Sequence, residues 1–252
     1  MSRPEDNQEE LEQKPLLGHL EDLRWTILRC VAVLAVSVSV CLIFTKYIVD
    51  ILQQPLIWIG KNPKDYTVTI GIIDPFSTHI SIGMFSGLVL GLPFILYYLA
   101  LFILPALTKE EKRHVLPVFA AGAMLFVFGV VFCYFFVVPK TLEFFLDYNT
   151  YMDTRAQWTF QNYVDFVIQM LIGFGLAFEM PLVLLILNYF GIISSHMLRE
   201  YRRHAIVAIF VAACCITPSS DLFSLGMLAV PMYILYEACA IIMSWRESKI
   251  VQ

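Results

Sequence analysis

The stretch Phe166–Phe190, FVIQMLIGFGLAFEMPLVLLILNYF, decides the fold. It is almost wholly apolar, with one carboxylate, Glu179, near its middle and Pro181 two residues later. As a helix it measures about 37 Å, enough to cross a hydrocarbon core of about 30 Å with some tilt. A carboxylate at that depth costs about 2.5–3.5 kcal/mol on insertion scales, so it needs a partner, water or a purpose. Pro181 cannot donate to the Ala177 carbonyl, so a kink is expected beside the acid. Two readings follow for Glu179: a neutral acid hydrogen-bonded to a neighbouring helix, or a functional intramembrane polar site.

The rest of the composition agrees with a membrane setting. Of 252 residues, 59% are hydrophobic and only 15% charged, which fits an all-α integral membrane protein rather than a soluble domain. The six cysteines lie in apolar runs without metal-ligand spacing and read as small packing residues. No P-loop, GxSxG, HExxH or CxxC motif occurs, and none of the five histidines pairs at helical spacing. No enzyme chemistry, cofactor, metal or nucleic-acid partner is therefore expected. The acidic start, MSRPEDNQEELEQK, lacks the basic and apolar regions of a cleavable signal peptide.

Taken in order, the chain reads as one polytopic domain over 1–252 with six membrane helices. A charged tail at 1–15 is expected to be disordered. Helices are expected at about 25–49, 76–104, 114–138, 162–190, 204–217 and 222–245, the first preceded by a short amphipathic lead-in. Long loops are expected between the first pair, containing Pro55, and over Pro139–Gln161. Asp74 is placed to cap the second helix and Pro75 to fill its first position. Gly83, Gly87 and Gly91 recur four apart and prepare a close helix approach. Thr108 and Glu111 have capping-box spacing. Only fourteen residues separate Arg203 from Pro218, and fifteen uncharged ones run from Leu222 to Tyr236 before Glu237. The last two helices are thus expected to be short, resting in a thinned bilayer or against taller neighbours. Glu237 then falls near an interface, where a structural role is the stronger reading.

Basic residues set the orientation. With both termini on one side, that side holds Arg3, Lys14, Arg24, Lys109, Lys112, Arg113, Arg199, Arg202, Arg203, Arg246 and Lys249. The other side holds Lys46, Lys61, Lys64, Lys140 and Arg155. This asymmetry places both termini in the cytoplasm. On that side Glu21, Asp22, Glu110 and Glu111 flank the entrances of the first and third helices. Such carboxylates suit guanidinium groups of a basic peptide, which they bind bidentately. A solvated acidic face, with Glu111 in a helix cap, is the plainer reading of the same residues.

The chain resembles the TatC family, the polytopic core subunit of the twin-arginine protein translocase, from about Leu16 to Trp245. HLEDLR at His19–Arg24 is similar to the family's HLxELR element. Pro55 in QQPL, Asp74-Pro75-Phe76 and PFILYYLALFILPALTKEEKR at Pro93–Arg113 resemble successive family blocks. GFGLAFEMPL at Gly173–Leu182, ITPSSDLFS at Ile216–Ser224 and the following AVPMYILYE complete the ordered set. There are departures: Asp22 stands where glutamate is usual, Thr26 where a basic residue is, and Leu225 where many members carry glutamine. Ser219-Ser220 replaces the usual single proline before Asp221.

The resemblance implies a multi-pass protein of the cytoplasmic (inner) membrane that binds twin-arginine signal peptides of folded precursors. It implies Asp22 and Glu111 as signal-arginine contacts, with Glu21, Arg24 and Phe102 supporting that surface. Glu179 would be the polar group on the concave membrane face. Pro55, Pro75, Phe76, Asp221 and Glu237 would be structural or partner contacts. Implied partners are single-helix TatA- and TatB-type subunits, further copies of the chain and membrane lipid, with transport driven by the proton-motive force. The competing reading is an ion-coupled secondary transporter with Glu179 as its proton-binding site, for which matched inverted repeats or broken helices would speak.

Overall fold

The computed structural model describes residues 16–103, 109–217 and 221–250, with side chains over 20–103, 117–217 and 221–245. The tail at 1–15 and the start of the Thr108–Glu111 capping box lie outside the described residues. The first helix, α1, covers Leu16–Ile43 without a break, so the amphipathic lead-in and the membrane segment are one rod. It turns at Phe44 into α2, Thr45–Trp58. A short α3, Pro63–Tyr66, and a two-residue strand β1, Thr67–Val68, lead to α4, Asp74–Ile103.

Beyond α4 the chain continues as α5, Lys109–Phe132, a π-helical turn at Cys133–Val137, and α6, Val138–Tyr151. A second two-residue strand, β2 at Trp158–Thr159, pairs in parallel with β1. Then come α7, Phe160–Phe178; α8, Met180–Tyr189; α9, Ser195–Glu200; α10, Arg202–Ile216; and α11, Leu222–Ile250. Among the described residues five helical stretches are long and apolar enough to cross a membrane. The architecture is that of an all-α membrane protein.

Two segments expected to be loops are helical, and proline explains why they read otherwise. Pro55 sits inside α2 and is buried. Having no N–H, it leaves the Ile51 carbonyl without its helical donor. The Tyr134 hydroxyl fills that place, donating to the Ile51 oxygen at 2.7 Å. Beside it the Tyr163 hydroxyl donates to the Leu52 oxygen at 2.8 Å. Pro139 likewise does not end the third membrane helix. The π turn before it carries the Val138 N–H to the Cys133 oxygen, and Pro139 falls in the first turn of α6, where a missing donor is harmless.

The last two helices differ from each other. The fifth, α10, is short as expected, 15 residues or about 22 Å. The sixth is not: α11 has 29 residues, of which Leu222–Trp245 is apolar enough to span. Glu237 does not end it, because the acid is paired within the fold rather than left in hydrocarbon.

Helix α7 is the hub. Tyr163, Val164, Val167, Ile168, Met170, Leu171, Phe174, Ala177 and Phe178 are all buried, so its apolar surface is covered nearly all round. It packs against α4, α5, α10 and α11. By contrast α1 rests on α4 and leaves Val31, Val36, Val40 and Ile43 exposed. The contact with α4 depends on the glycine stripe. A Cβ on Gly87 would lie 2.6 Å from the Val38 Cα, one on Gly83 would collide with Leu42, and one on Gly91 would meet the Ser37 hydroxyl at 3.2 Å. In lipid, where apolar burial between helices drives little, such backbone approach supplies the packing energy.

Candidate functional site

The glycine stripe also fixes what lies at the helix entrances. It runs α1 antiparallel to α4, with Gly83 on Leu42, Gly87 on Val38 and Gly91 between Ser37 and Val33. Continued in that register, Phe102 at the end of α4 comes level with the first turns of α1. There Glu21 and Arg24 are exposed and Asp22 is half-buried. Thr26 is buried and its hydroxyl donates to the Asp22 carbonyl at 2.8 Å. The Thr26 hydroxyl is thus turned back onto its own helix. Glu111 falls in the first turn of α5; its side chain lies outside the described residues.

The second polar feature is inside the helices. The run Phe166–Phe190 breaks at Glu179 itself, which separates α7 from α8, while Pro181 occupies the first turn of α8. The Glu179 N–H turns back to the Leu176 oxygen at 3.1 Å, and its carbonyl accepts from the Val183 N–H at 3.1 Å. The side chain is 8% exposed, and both carboxylate oxygens are buried with no hydrogen-bond partner among the described residues. Glu179 thus lies in a seam inside the protein rather than openly on a membrane face.

That seam is made by glycine. A Cβ on Gly122 of α5 would lie 3.1 Å from Glu179 Oε2 and 2.9 Å from the Leu182 Cδ2. One turn-pair further, a Cβ on Gly129 would lie 2.9 Å from the Phe174 carbonyl, and Gly175 faces the Phe126 ring. The seven-residue spacing of Gly122 and Gly129 was the sequence signal for this notch, and the reading of the residues passed over it.

The remaining candidates are structural in their contacts. Asp74 is the first residue of α4 rather than its cap, and its carboxylate accepts from the Gly71 N–H at 2.7 Å. Pro75 is therefore second in the helix, and Phe76 is exposed. Asp221 accepts from the Ser224 N–H at 2.8 Å at the start of α11. Glu237 accepts from Arg202 Nη2 at 2.8 Å through Oε2 and from the Tyr233 hydroxyl at 3.0 Å through Oε1. Arg202, which supplies this tie between α10 and α11, was counted in the sequence only as a topological charge. Among the described residues no group of three His, Cys, Asp or Glu side chains could hold a metal ion.

Comparison with known proteins places these features in a family. The family model for the Sec-independent protein translocase protein (TatC) matches residues 18–231. The TatC protein of Akkermansia muciniphila is 39% identical over 176 residues, which is 70% of this chain and half of that relative. That of Aquifex aeolicus is 31% identical over 241 residues, covering 94% of this chain and 99% of the relative. A crystal structure of the twin-arginine translocase receptor TatC in detergent superposes with a TM-score of 0.79 at 31% identity. It covers 89% of this chain and 99% of the other.

Proposed function

Because this chain belongs to the TatC family of Sec-independent protein translocase proteins, we propose that it is the subunit that receives the twin-arginine signal peptides of folded precursors. It is a multi-pass inner-membrane component of the twin-arginine translocase. The reading adds that recognition occurs on the face bearing the N-terminus, in the cytoplasm. The observation that supports it is the antiparallel glycine register of α1 on α4, which, continued, carries the α1 entrance, with Glu21 and Asp22, and the α4 end, with Phe102, to the same side.

Two guanidinium groups need planar, charged acceptors set a few ångströms apart, and carboxylates on adjacent helix ends supply them. Asp22 and Glu111 hold the two arginines, Glu21 adds to the negative field, and Phe102 gives an apolar floor for the residues that follow. Arg24 limits the net charge, so that a doubly basic motif is preferred over any stray cation. Glu179 serves a later step: when α5 and α8 part at the Gly122 notch, its buried carboxyl is offered to a TatA- or TatB-type helix or to a passing signal. Further copies of the chain share the receptor complex, and the proton-motive force drives transport.

The same helix break favours the transporter alternative in one respect, since broken helices line ion sites. That architecture also needs a matched half, and the sequence shows no repeat of the Glu179 block elsewhere in the chain.

Site-specific cross-linking of a twin-arginine precursor to the assembled translocase tests the proposal. Glu111→Ala and Asp22→Ala should each abolish the cross-link while the protein remains inserted and folded. Lysine for arginine in the signal should weaken it, since the bidentate geometry is lost. Normal precursor binding by Glu111→Gln would overturn the charge-pairing mechanism.

A further inference from the structure

A cavity of about 250 Å³ opens between α6 and α7, lined by Leu142, Phe145, Trp158, Asn162, Tyr163 and Phe166. No charged side chain lines it, so it suits neither an ion nor a basic peptide. Its polar groups, the Trp158 indole N–H, the Asn162 amide and the Tyr163 hydroxyl, differ in availability. The Tyr163 hydroxyl is committed to the Leu52 carbonyl at 2.8 Å, whereas the Asn162 side chain is exposed at the mouth.

The walls are rings braced by other rings. Trp158 stacks on Tyr163 at 6.4 Å between centroids and meets Tyr66 at 6.4 Å. Phe145 meets Phe166 edge-on at 6.3 Å, and Phe144 beside it stacks on Phe223 of α11 at 4.1 Å. Such a frame cannot fold inward to close the space. An open apolar space of this kind suits an apolar ligand better than water. An empty one leaves its lining without dispersion contacts on one side.

The position identifies the occupant. Asn162 and Phe166 lie one turn apart on α7, within the apolar span that begins at Phe160, and Trp158 of β2 stands just before the start of that helix. The cavity therefore runs from an aromatic, interfacial level down into the hydrocarbon. We propose that it holds one acyl chain of a membrane phospholipid, with the Asn162 amide donating to the ester carbonyl at the head of that chain. The bilayer supplies such a ligand at high local concentration, and a neutral donor at the mouth matches a neutral acceptor at that depth.

Native mass spectrometry of the full chain, purified in mild detergent from phosphatidylglycerol–phosphatidylethanolamine membranes, tests this. The wild-type protein should retain one phospholipid. Leu142→Trp fills the cavity and should retain none, whereas Met124→Trp, on the exposed face of α5, should retain it. A benzoylphenylalanine at position 166 provides a measurement free of any folding defect in Leu142→Trp. Its cross-link should carry the mass of a phospholipid. Retention of the lipid by Leu142→Trp, or a cross-link at position 166 that goes to a polypeptide or to nothing, overturns the proposal.

Discussion

Glu237 and Glu179 are both carboxylates within membrane-spanning helices, yet Glu237 holds Arg202 and Tyr233 while Glu179 holds no partner among the described residues. The difference is one of surroundings, not of residue type. Glu237 stands where α10 begins, beside a half-exposed arginine that water can also reach. Glu179 stands at a helix break, against the bare backbone of Gly122, and its carboxylate meets no donor among the described residues. A satisfied acid ties two helices together. An unsatisfied one is a standing cost of about 1–3 kcal/mol, which persists only where something other than stability requires it.

The comparison predicts opposite responses to the same substitution. The largest effect is expected for Glu179→Leu. If Glu179 supplies an interhelical hydrogen bond worth about 0.6–2 kcal/mol to a partner helix, export of a folded reporter should fall roughly three- to thirty-fold. The isolated protein should at the same time become more stable by about 1–3 kcal/mol, since the buried unpaired group is gone. Glu179→Gln keeps a donor and an acceptor and should retain most transport. Full export by the leucine variant at equal protein levels would make Glu179 a packing accident, and equal loss in both would mean that the proton itself matters.

Gly122→Ala comes next. The added methyl would lie 2.9 Å from Leu182 and 3.1 Å from Glu179 Oε2, so one of them must shift. Overpacking of this sort costs about 1–3 kcal/mol, and export should fall less than in Glu179→Leu because the acid is displaced rather than removed. Thermal unfolding in detergent, measured beside export, separates the two losses. If Gly122→Ala is silent in both, the seam is looser than the structure shows and the contrast with Glu237 loses its basis.

These partners also mark how far the sequence could be read. Glu179 was legible as a candidate because a single acid in a long apolar run is costly at mid-membrane, whether it bonds a neighbouring helix or serves a function. Its isolation was not, because that depends on which residue of α5 faces it. The glycines at 83, 87 and 91 announced a close approach, but their spacing could not say that α1 was the neighbour. Helices α2 and α6 read as loops because Pro55 and Pro139 are local stop signals. What overrides them is long-range: the Tyr134 hydroxyl arrives from another helix to take the Ile51 carbonyl, and a π turn absorbs Pro139. The bounds of the last span, 222–245, were legible, but not that it stays a full span past Glu237, whose charge is paired with a residue 35 positions away. The acids at the helix entrances were visible by position, whereas their facing geometry rests on the register of α1 against α4.

Glu237→Leu should behave as the mirror image of Glu179→Leu. It strips Arg202 of its partner, but Arg202 is 47% exposed, so solvent recovers much of the charge. A loss of about 0.5–1 kcal/mol is expected, with export nearly unchanged. Salt should shrink the difference from wild type, because a partly exposed pair is screened. A strong export defect with intact stability would move Glu237 from the structural class to the functional one.

The smallest effect is expected for Tyr233→Phe, and it sharpens the comparison most finely. The substitution removes only the hydroxyl at 3.0 Å from Oε1 and leaves Arg202 Nη2 on Oε2 at 2.8 Å. Tyr233 is half-buried, so the freed oxygen can turn to water, and the loss should be about 0.5 kcal/mol. Groups sharing one carboxylate are not independent, so the variant belongs in a double-mutant cycle with Arg202→Gln. The cycle should show a coupling smaller than the effect of losing Arg202, because the arginine fixes the carboxylate and the tyrosine only completes its shell. A Tyr233→Phe effect as large as that of Glu237→Leu would show that the hydroxyl holds the acid in place. Glu237 would then depend on a single neutral donor, and the line drawn between a charge-paired glutamate and an unpaired one would have to be redrawn.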